Sequence, residues 1–365
     1  MINRKRYIRL VAGLLAGIAL QAGNVSAFDK GEGIDPLPLP PVSEKSGERT
    51  SRSFAFDNDV LVPGSRDQDY TYGLNLTFSG KGANDHWASL HAPLNWLDRE
   101  FGVDRRITDA VESSKIEYGL FGFTPENIAL AAPLDDDRPY AGFVYVASTH
   151  ERYQPAGEVS WLSNLTIGAL GLDVVGDLQE GVHSVTGSNE PRGWDNQISD
   201  GGELTARYSL ARQSLLYRHG STAEIKTTVQ GSIGYITELS WSISLRAGEI
   251  HTPWVSFNPE LTNYGEKSIP SDLGRVSEHY FWTGIALKAR AYNVFLQGQF
   301  RDSAVTYDSD ELNHAIVEAW VGYTIALRDG YSFTYSIRGH SSELRDGAGD
   351  RNVIWGGLLI TRSFD

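Results

Sequence analysis

The sequence predicts an all-β fold: an antiparallel transmembrane β-barrel of twelve strands, with short helices in its loops. Three observations predict it. An export leader opens the chain, and no later stretch approaches the 18 or so apolar residues of a spanning helix. Segments of strict apolar/polar alternation follow one another from Ser51 to the end. Their polar faces consist mostly of Ser, Thr, Gly and Asn, whereas a soluble sandwich would turn Lys and Glu to bulk water. A face of small polar residues suits a narrow wet lumen, and the aromatic-rich opposite face suits lipid.

The leader has Arg4, Lys5, Arg6 and Arg9 ahead of an apolar core over 10–22, and Val25-Ser26-Ala27 supplies a small-residue cleavage site. A signal peptide over 1–27 is expected, followed by a flexible Pro/Gly/Ser/Glu-rich leader over 28–50 and a barrel over 51–365. The chain has no cysteine, which fits a bacterial envelope better than a disulfide-stapled secreted domain. Lys and Arg number 32 against 46 Asp and Glu, a net charge of −14. Loss of the four leader cations leaves 28 against 46, or −18. Such a balance excludes nucleic acid as a partner, because phosphate binding needs a basic footprint. Acidic loops can hold divalent cations or merely keep the chain soluble in transit.

Taken in order, the expected strands cover about 51–61, 71–80, 115–124, 140–150, 159–172, 203–213, 224–234, 238–248, 280–297, 314–327, 330–341 and 352–364. Tyr72, Leu74, Leu76 and Phe78 share one face of the second, opposite Thr71, Gly73, Asn75 and Thr77. Leu239, Trp241, Ile243 and Leu245 face away from three serines in the eighth. Splitting the ninth at Tyr292 would give thirteen, but bacterial single-chain barrels use even numbers. Phe364, next to the last residue, resembles the end of an outer-membrane terminal strand. The segment 81–114 is long for a turn and contains Trp87, Leu90, Leu94, Trp96, Leu97 and Phe101. It reads as an amphipathic helix at the membrane surface or as a small plug.

Strand parity then locates the loops. With the N-terminus in the periplasm, the connections 58–70, 124–139 and 173–202 all fall on the outer side. The third interrupts the strand pattern with Gly176-Asp177-Leu178-Gln179-Glu180-Gly181-Val182-His183. A short helix there would put Gln179 and His183 on one face, at i and i+4. A lone loop histidine can equally be solvated and idle. No G-x-S-x-G, H-E-x-x-H, P-loop or paired Cys/His spacing occurs, and the other histidines lack a similarly polar helical setting. His183 is thus the candidate base by elimination. On the first strand, outward Phe54 and Phe56 put Asp57 and Asp59 inside, where Thr71 also points. Asp59 and Thr71 could share one cation, and calcium prefers such oxygen ligands. The plainer reading makes Asp57, Asp59, Asp67 and Asp69 a solvated hairpin tip.

Several ordered motifs point further. Phe56-Asp57-Asn58-Asp59 with Asp69-Tyr70-Thr71-Tyr72-Gly73 resembles the opening of the outer-membrane lipid A 3′-O-deacylase family. Asp137-Arg138-Pro139-Tyr140-Ala141-Gly142, the run from Gly176 to Gln197, and Phe295-Leu296-Gln297-Gly298 with Arg301-Asp302-Ser303 are similar to later motifs of that family. The resemblance extends from Phe54 to Phe364. It implies a twelve-stranded barrel that removes the 3′-acyloxyacyl chain of lipid A, in lipopolysaccharide, by calcium-dependent ester hydrolysis. It implies His183 as general base on water, Gln179 on the same helix, Asn58 and Asp59 at the family's Asn-Asp pair, and Thr71 in its Asp-Tyr-Thr. Calcium would polarise the ester carbonyl and stabilise the oxyanion. Glu190 matches an acidic residue whose offset from the histidine varies between members. Some members carry a cation in the 3–4 connection where this chain has Ile128 to Leu134, which leaves Arg138 there. Lipid A and outer-membrane lipids are the expected partners of a monomer. The rivals are an outer-membrane phospholipase, which needs a Ser–His pair on the lipid face, and a narrow porin or adhesion barrel.

Overall fold

The computed structural model describes residues 50–63, 69–103, 110–154, 157–186, 189–267 and 275–364. The expected signal peptide and the leader up to residue 49 lie outside the described residues. Twelve antiparallel strands close on themselves, the first pairing with the last. In chain order they are β1 Thr50–Asn58, β2 Asp69–Ser79, β3 Val111–Thr124, β4 Ala141–Tyr153, β5 Val159–Leu170 and β6 Glu203–His219. Then follow β7 Ala223–Gly234, β8 Ile236–Glu249, β9 Glu278–Asn293, β10 Ala315–Ala326, β11 Tyr331–His340 and β12 Val353–Phe364. Closure leaves no sheet edge, so the ladder pairs every strand on both sides, as a bilayer requires. Among the described residues no helix is long and apolar enough to cross a membrane.

Alternation fixes which face is which. Trp241, Leu287, Val317, Val321, Phe333, Leu358 and Ile360 are exposed on the outer wall, whereas Ser242, Ser244, Thr77 and Asn75 are buried in the lumen. Several strand ends differ from the sequence reading: β3 begins earlier, at Val111, and β6 runs on to His219, while β1 and β9 stop short. The first strand stops at Asn58, whose side chain accepts from Val60 N at 2.8 Å and starts a 3-10 turn, Asp59–Leu61. The ninth stops at Asn293, which caps the helical turn Val294–Gln297 by accepting from Phe295 N at 3.1 Å. Short polar side chains end extended backbone in this way, by offering the next amides a local acceptor.

The lumen is filled, not open. Tyr70, Phe121, Phe123, Phe143, Tyr145, Tyr235, Tyr264, Phe295 and Trp355 form one buried aromatic layer. Above it, Arg138 and Arg290 both pair with Glu343, and Asp69 and Asp137 pair with Arg351. Ion pairs bury cheaply only when hydrogen bonds satisfy both partners; here Arg138 and Arg351 tie different connections together, and Arg290 on β9 ties Glu238 of β8 to Glu343. From the opposite end the β8–β9 connection enters the lumen, with short turns at Trp254–Ser256 and Pro259–Leu261.

The segment 81–114 contains helix α1, His91–Glu100. Leu94, with Leu90, Leu97 and Phe101, packs on Trp161, Leu165, Tyr208 and Leu210. Those four alternate with lumenal residues, so α1 lies against the outer wall and not inside as a plug.

Candidate active site at the outer rim

The connection after β5 forms helix α2, Asp173–Thr186. It leans back over the outer wall of β2 to β4. The Tyr72 hydroxyl donates to Val175 O, and Val175 and Trp194 pack with Tyr72, Ile128 and Tyr140, bordered by Leu120 and Val144. Two outward glycines make the seat. A Cβ at Gly122 would lie 3.0 Å from Val175 Cγ1, and one at Gly142 2.9 Å from Val175 Cβ. Gly176 weakens a helix by about 1 kcal/mol relative to Ala, yet a Cβ there would lie 2.8 Å from Trp194 Cγ. The sequence gives up propensity for close packing.

Val175, Gln179 and His183 follow at i, i+4 and i+8 on this face. Gln179 is buried, its Oε1 accepting from Trp194 Nε1 at 2.8 Å. Its amide nitrogen has no hydrogen-bond partner in the structure. His183 is 8 % exposed, and its Nδ1 lies 2.6 Å from Asn189 O. That carbonyl can only accept, so Nδ1 carries the proton and Nε2 is the basic nitrogen of the neutral ring. His183 borders an open depression lined also by Asp177, Glu180, Ser184 and Glu190. Glu190 itself is exposed and pairs with Arg192 at 2.9 Å.

A second group sits on the β1–β2 rim. Asn58 lies opposite Tyr72 and donates from Nδ2 to Thr71 O at 2.8 Å. Asp59 is buried at the start of its 3-10 turn. A bulge between Tyr70 and Tyr72 makes Thr71 the extra residue, with its hydroxyl 2.6 Å from that of Thr124. Tyr70 belongs to the lumenal layer and Tyr72 to the outer-wall cluster. Thr71 therefore stands where the strand changes face, and simple inward alternation does not hold there. The two groups are linked by Tyr72, which touches Asn58 in register and α2 by its hydroxyl. The second and third outer connections meet, with Arg192 N donating to Ile128 O and Ile198 N to Tyr140 O, each at 2.8 Å, and the end of the first touches the second where Asp69 approaches Arg138 at 3.8 Å.

For a cation, the donor chemistry is one carboxylate, Asp59, beside hydroxyl and carbonyl oxygens. No group of three or more His, Asp or Glu arranged to hold a metal ion occurs among the described residues. These hard oxygens fit calcium if carbonyls and water complete the shell. The solvated-tip reading fails for Asp57 and Asp69, which are buried in ion pairs with Lys267 and with Arg138 and Arg351; Asp67 lies outside the described residues. Arg138 is also buried, its guanidinium stacked 4.6 Å above Phe123, so it offers no outward cation.

Two other histidines, His91 and His150, also sit in a polar setting on or beside a helix. His91 on α1 contacts His150 Nε2 at 2.5 Å, and His150 Nδ1 lies 3.2 Å from Asp98 Oδ2. Ser163 Oγ donates to the same oxygen at 2.8 Å, as does Arg152. The serine faces the acid and not the imidazole, so this cluster fastens α1 to the wall and makes no nucleophile. Sequence reasoning also missed Trp194, Tyr72 and Asn189 as the groups that position the helix. The Gly193-Trp194 pair within the quoted run was the available sign.

No curated protein matches the sequence. Among solved structures, LpxR from Salmonella typhimurium superposes with a TM-score of 0.65 at 16% identity, over 86% of this chain and 99% of that one. Looser likenesses are the β domain of the Bordetella autotransporter BrkA (TM-score 0.41, 10% identity, 87% and 100% covered) and the COG4313 outer-membrane channel of Pseudomonas putida F1 (0.43, 8%, 91% and 100%). The family described as outer membrane protein LpxR matches residues 19–364. With that match over nearly the whole chain and the closed barrel beneath it, the chain belongs to the LpxR family, the lipid A 3′-O-deacylases of the outer membrane.

Proposed function

We propose that this integral outer-membrane barrel hydrolyses the 3′-acyloxyacyl ester of lipid A in the outer leaflet, with His183 as general base on water. The observation that carries the reading is the seat of α2 on the lipid-facing wall. It fixes the oriented imidazole of His183 on a helix whose Val175 is held by Tyr72, the residue paired in register with Asn58. Lipid A ester carbonyls lie just beneath the sugars, at the depth of this rim, so a lipid diffusing sideways meets the site without leaving the membrane.

Asn189 O holds the Nδ1 proton, Nε2 takes a proton from water as it attacks the ester, and as the acyl C–O bond breaks the imidazolium returns that proton to the departing 3′ oxygen of the sugar. Asn58, fixed by its bond to Thr71 O, presents an amide to the reacting carbonyl. Asp59 and Thr71 would hold a calcium ion, which supplies Lewis-acid polarisation of the ester when bound. No covalent enzyme intermediate is required. A filled lumen argues against the porin reading, and the Ser163 geometry against the phospholipase reading.

The direct assay is purified protein with lipid A in detergent, reading released fatty acid by mass spectrometry. Activity lost in chelator and restored by calcium is expected. Full activity in chelator removes the metal from the account, and release of a glycerophospholipid acyl chain instead removes the substrate.

A further inference from the structure

The β8–β9 connection enters from the periplasmic end and reaches the underside of the outer rim. Its tip, residues 263–267, is held on every side. Asn75 Nδ2 donates to Gly265 O at 3.1 Å, and Arg207 and Tyr235 each reach the Glu266 carboxylate at 2.5 Å. Lys267 N donates to Glu117 Oε1 at 3.1 Å, and Lys267 Nζ pairs with Asp57 Oδ2. Tyr70 OH donates to that same oxygen at 3.1 Å. Asp57 and Tyr70 are the chain neighbours of Asn58 and Thr71, so the lysine holds β1 directly through Asp57 and reaches β2 through the Tyr70 hydroxyl on the same oxygen.

The strands leave room for this tip. Asp57 lies between Gly73 and Gly357 in register, and a Cβ on Gly357 would stand 2.6 Å from Asp57 Oδ1. A Cβ on Gly265 would stand 2.6 Å from Phe121 Cδ1. Tyr264 adopts φ 51°, left-handed for a bulky residue, a conformation that persists only where its surroundings over-determine it. Filling a pore needs neither a left-handed tyrosine nor glycines on both flanks of one aspartate.

We propose that the β8–β9 connection is an internal strut for the outer-leaflet site, and that Lys267 is a positioning residue acting through Asp57 and Tyr70 on Asn58, Asp59 and Thr71. The catalytic part of this rests on the deacylase reading; the mechanical part does not. Removing the ammonium leaves Asp57 buried without its cation and frees the rim to shift by fractions of an ångström. Misplacement on that scale costs an esterase about ten- to a hundredfold in kcat while leaving lipid binding nearly unchanged.

The test compares Lys267→Met, Lys267→Arg and Lys226→Gln in the full chain, each checked for folding by heat-modifiable gel migration. Lys226 ties the base of the same connection to Glu260, far from the rim. Amide hydrogen exchange over 56–63 and 69–73 is expected to speed up about tenfold or more in Lys267→Met, and not in Lys226→Gln. Deacylation kcat is expected to fall at constant KM in Lys267→Met and to be restored in Lys267→Arg. If Lys267→Met fails to fold, Asp57→Asn, which keeps an acceptor for Tyr70, is expected to show the same two effects. Unchanged rim exchange in a folded Lys267→Met overturns the strut, as does an equal effect from Lys226→Gln. An inactive wild type would sink the deacylase reading alone, because the exchange arm still decides the strut.

Discussion

At the scale of single residues, the account rests on one imidazole and one carboxylate. His183 owes its tautomer to Asn189 O and its place to the face it shares with Val175 and Gln179. His183→Ala is expected to leave a heat-modifiable barrel and to lower deacylation by about two to four orders of magnitude; wild-type turnover would remove it as the base. Asp59→Ala is expected to abolish activity at every calcium concentration, checked on lipid A in detergent, whereas activity rescued by excess calcium would make Asp59 an auxiliary donor. The identity of these residues was legible because polar helix spacing and an Asn-Asp pair stand out among alternating strands. Their local geometry was not. A bulge at Thr71 and a 3-10 turn at Asp59 arise from hydrogen bonds that side-chain alternation does not encode.

At the scale of elements, the seat of α2 converts a loop into a site. Trp194 is the pivot, set edge-on to Tyr140 with ring centroids 5.0 Å apart and bonded to Gln179. Trp194→Ala is expected to weaken the docked helix by about 3–5 kcal/mol, the cost of deleting a buried aromatic. Hydrogen exchange should then rise across 173–186 while the strands stay protected. Protection unchanged over α2 would mean that the wall contacts hold it without the indole. Strand positions were readable because a two-residue period repeated a dozen times carries little ambiguity, even where each segment alone is weak. Helix α1 was readable as amphipathic, but the choice between membrane surface and plug needed the outward His150–Asp98–Arg152 cluster that fastens it. Residues that meet only between distant elements, such as Asp98 on α1 and Ser163 on β5, leave no local trace in the sequence.

At the scale of the molecule, a barrel whose lumen carries small polar residues and buried ion pairs closes at its outer end through aromatic rings and further paired charges. Glu343 is central. Burial pushes its carboxyl up, but the guanidiniums of Arg138 and Arg290 outweigh that and hold it well below the usual range. A carboxylate lowered in this way stabilises the fold above its unfolded pKa and loses that contribution as pH falls through the folded one. Thermal unfolding is therefore expected to be flat in pH above about 5 and to ease only in stronger acid. Glu343→Gln should be less stable at neutral pH, because two buried guanidiniums lose their anion, with a shallower acid limb; an unchanged acid limb would exclude Glu343. The wet lumen expected from the Ser/Thr faces is instead filled by Tyr264 and its neighbours, which arrive from a connection far along the chain. Length and alternation say nothing about where such a connection folds. Mass spectrometry of lipid A from a Gram-negative host expressing the wild-type chain or His183→Ala tests the central claim most directly. The wild type is expected to convert lipid A to a form lighter by the 3′-acyloxyacyl group, and the variant to leave it intact. Unmodified lipid A with a folded wild-type barrel in the outer membrane, or loss of a different chain, would contradict the account.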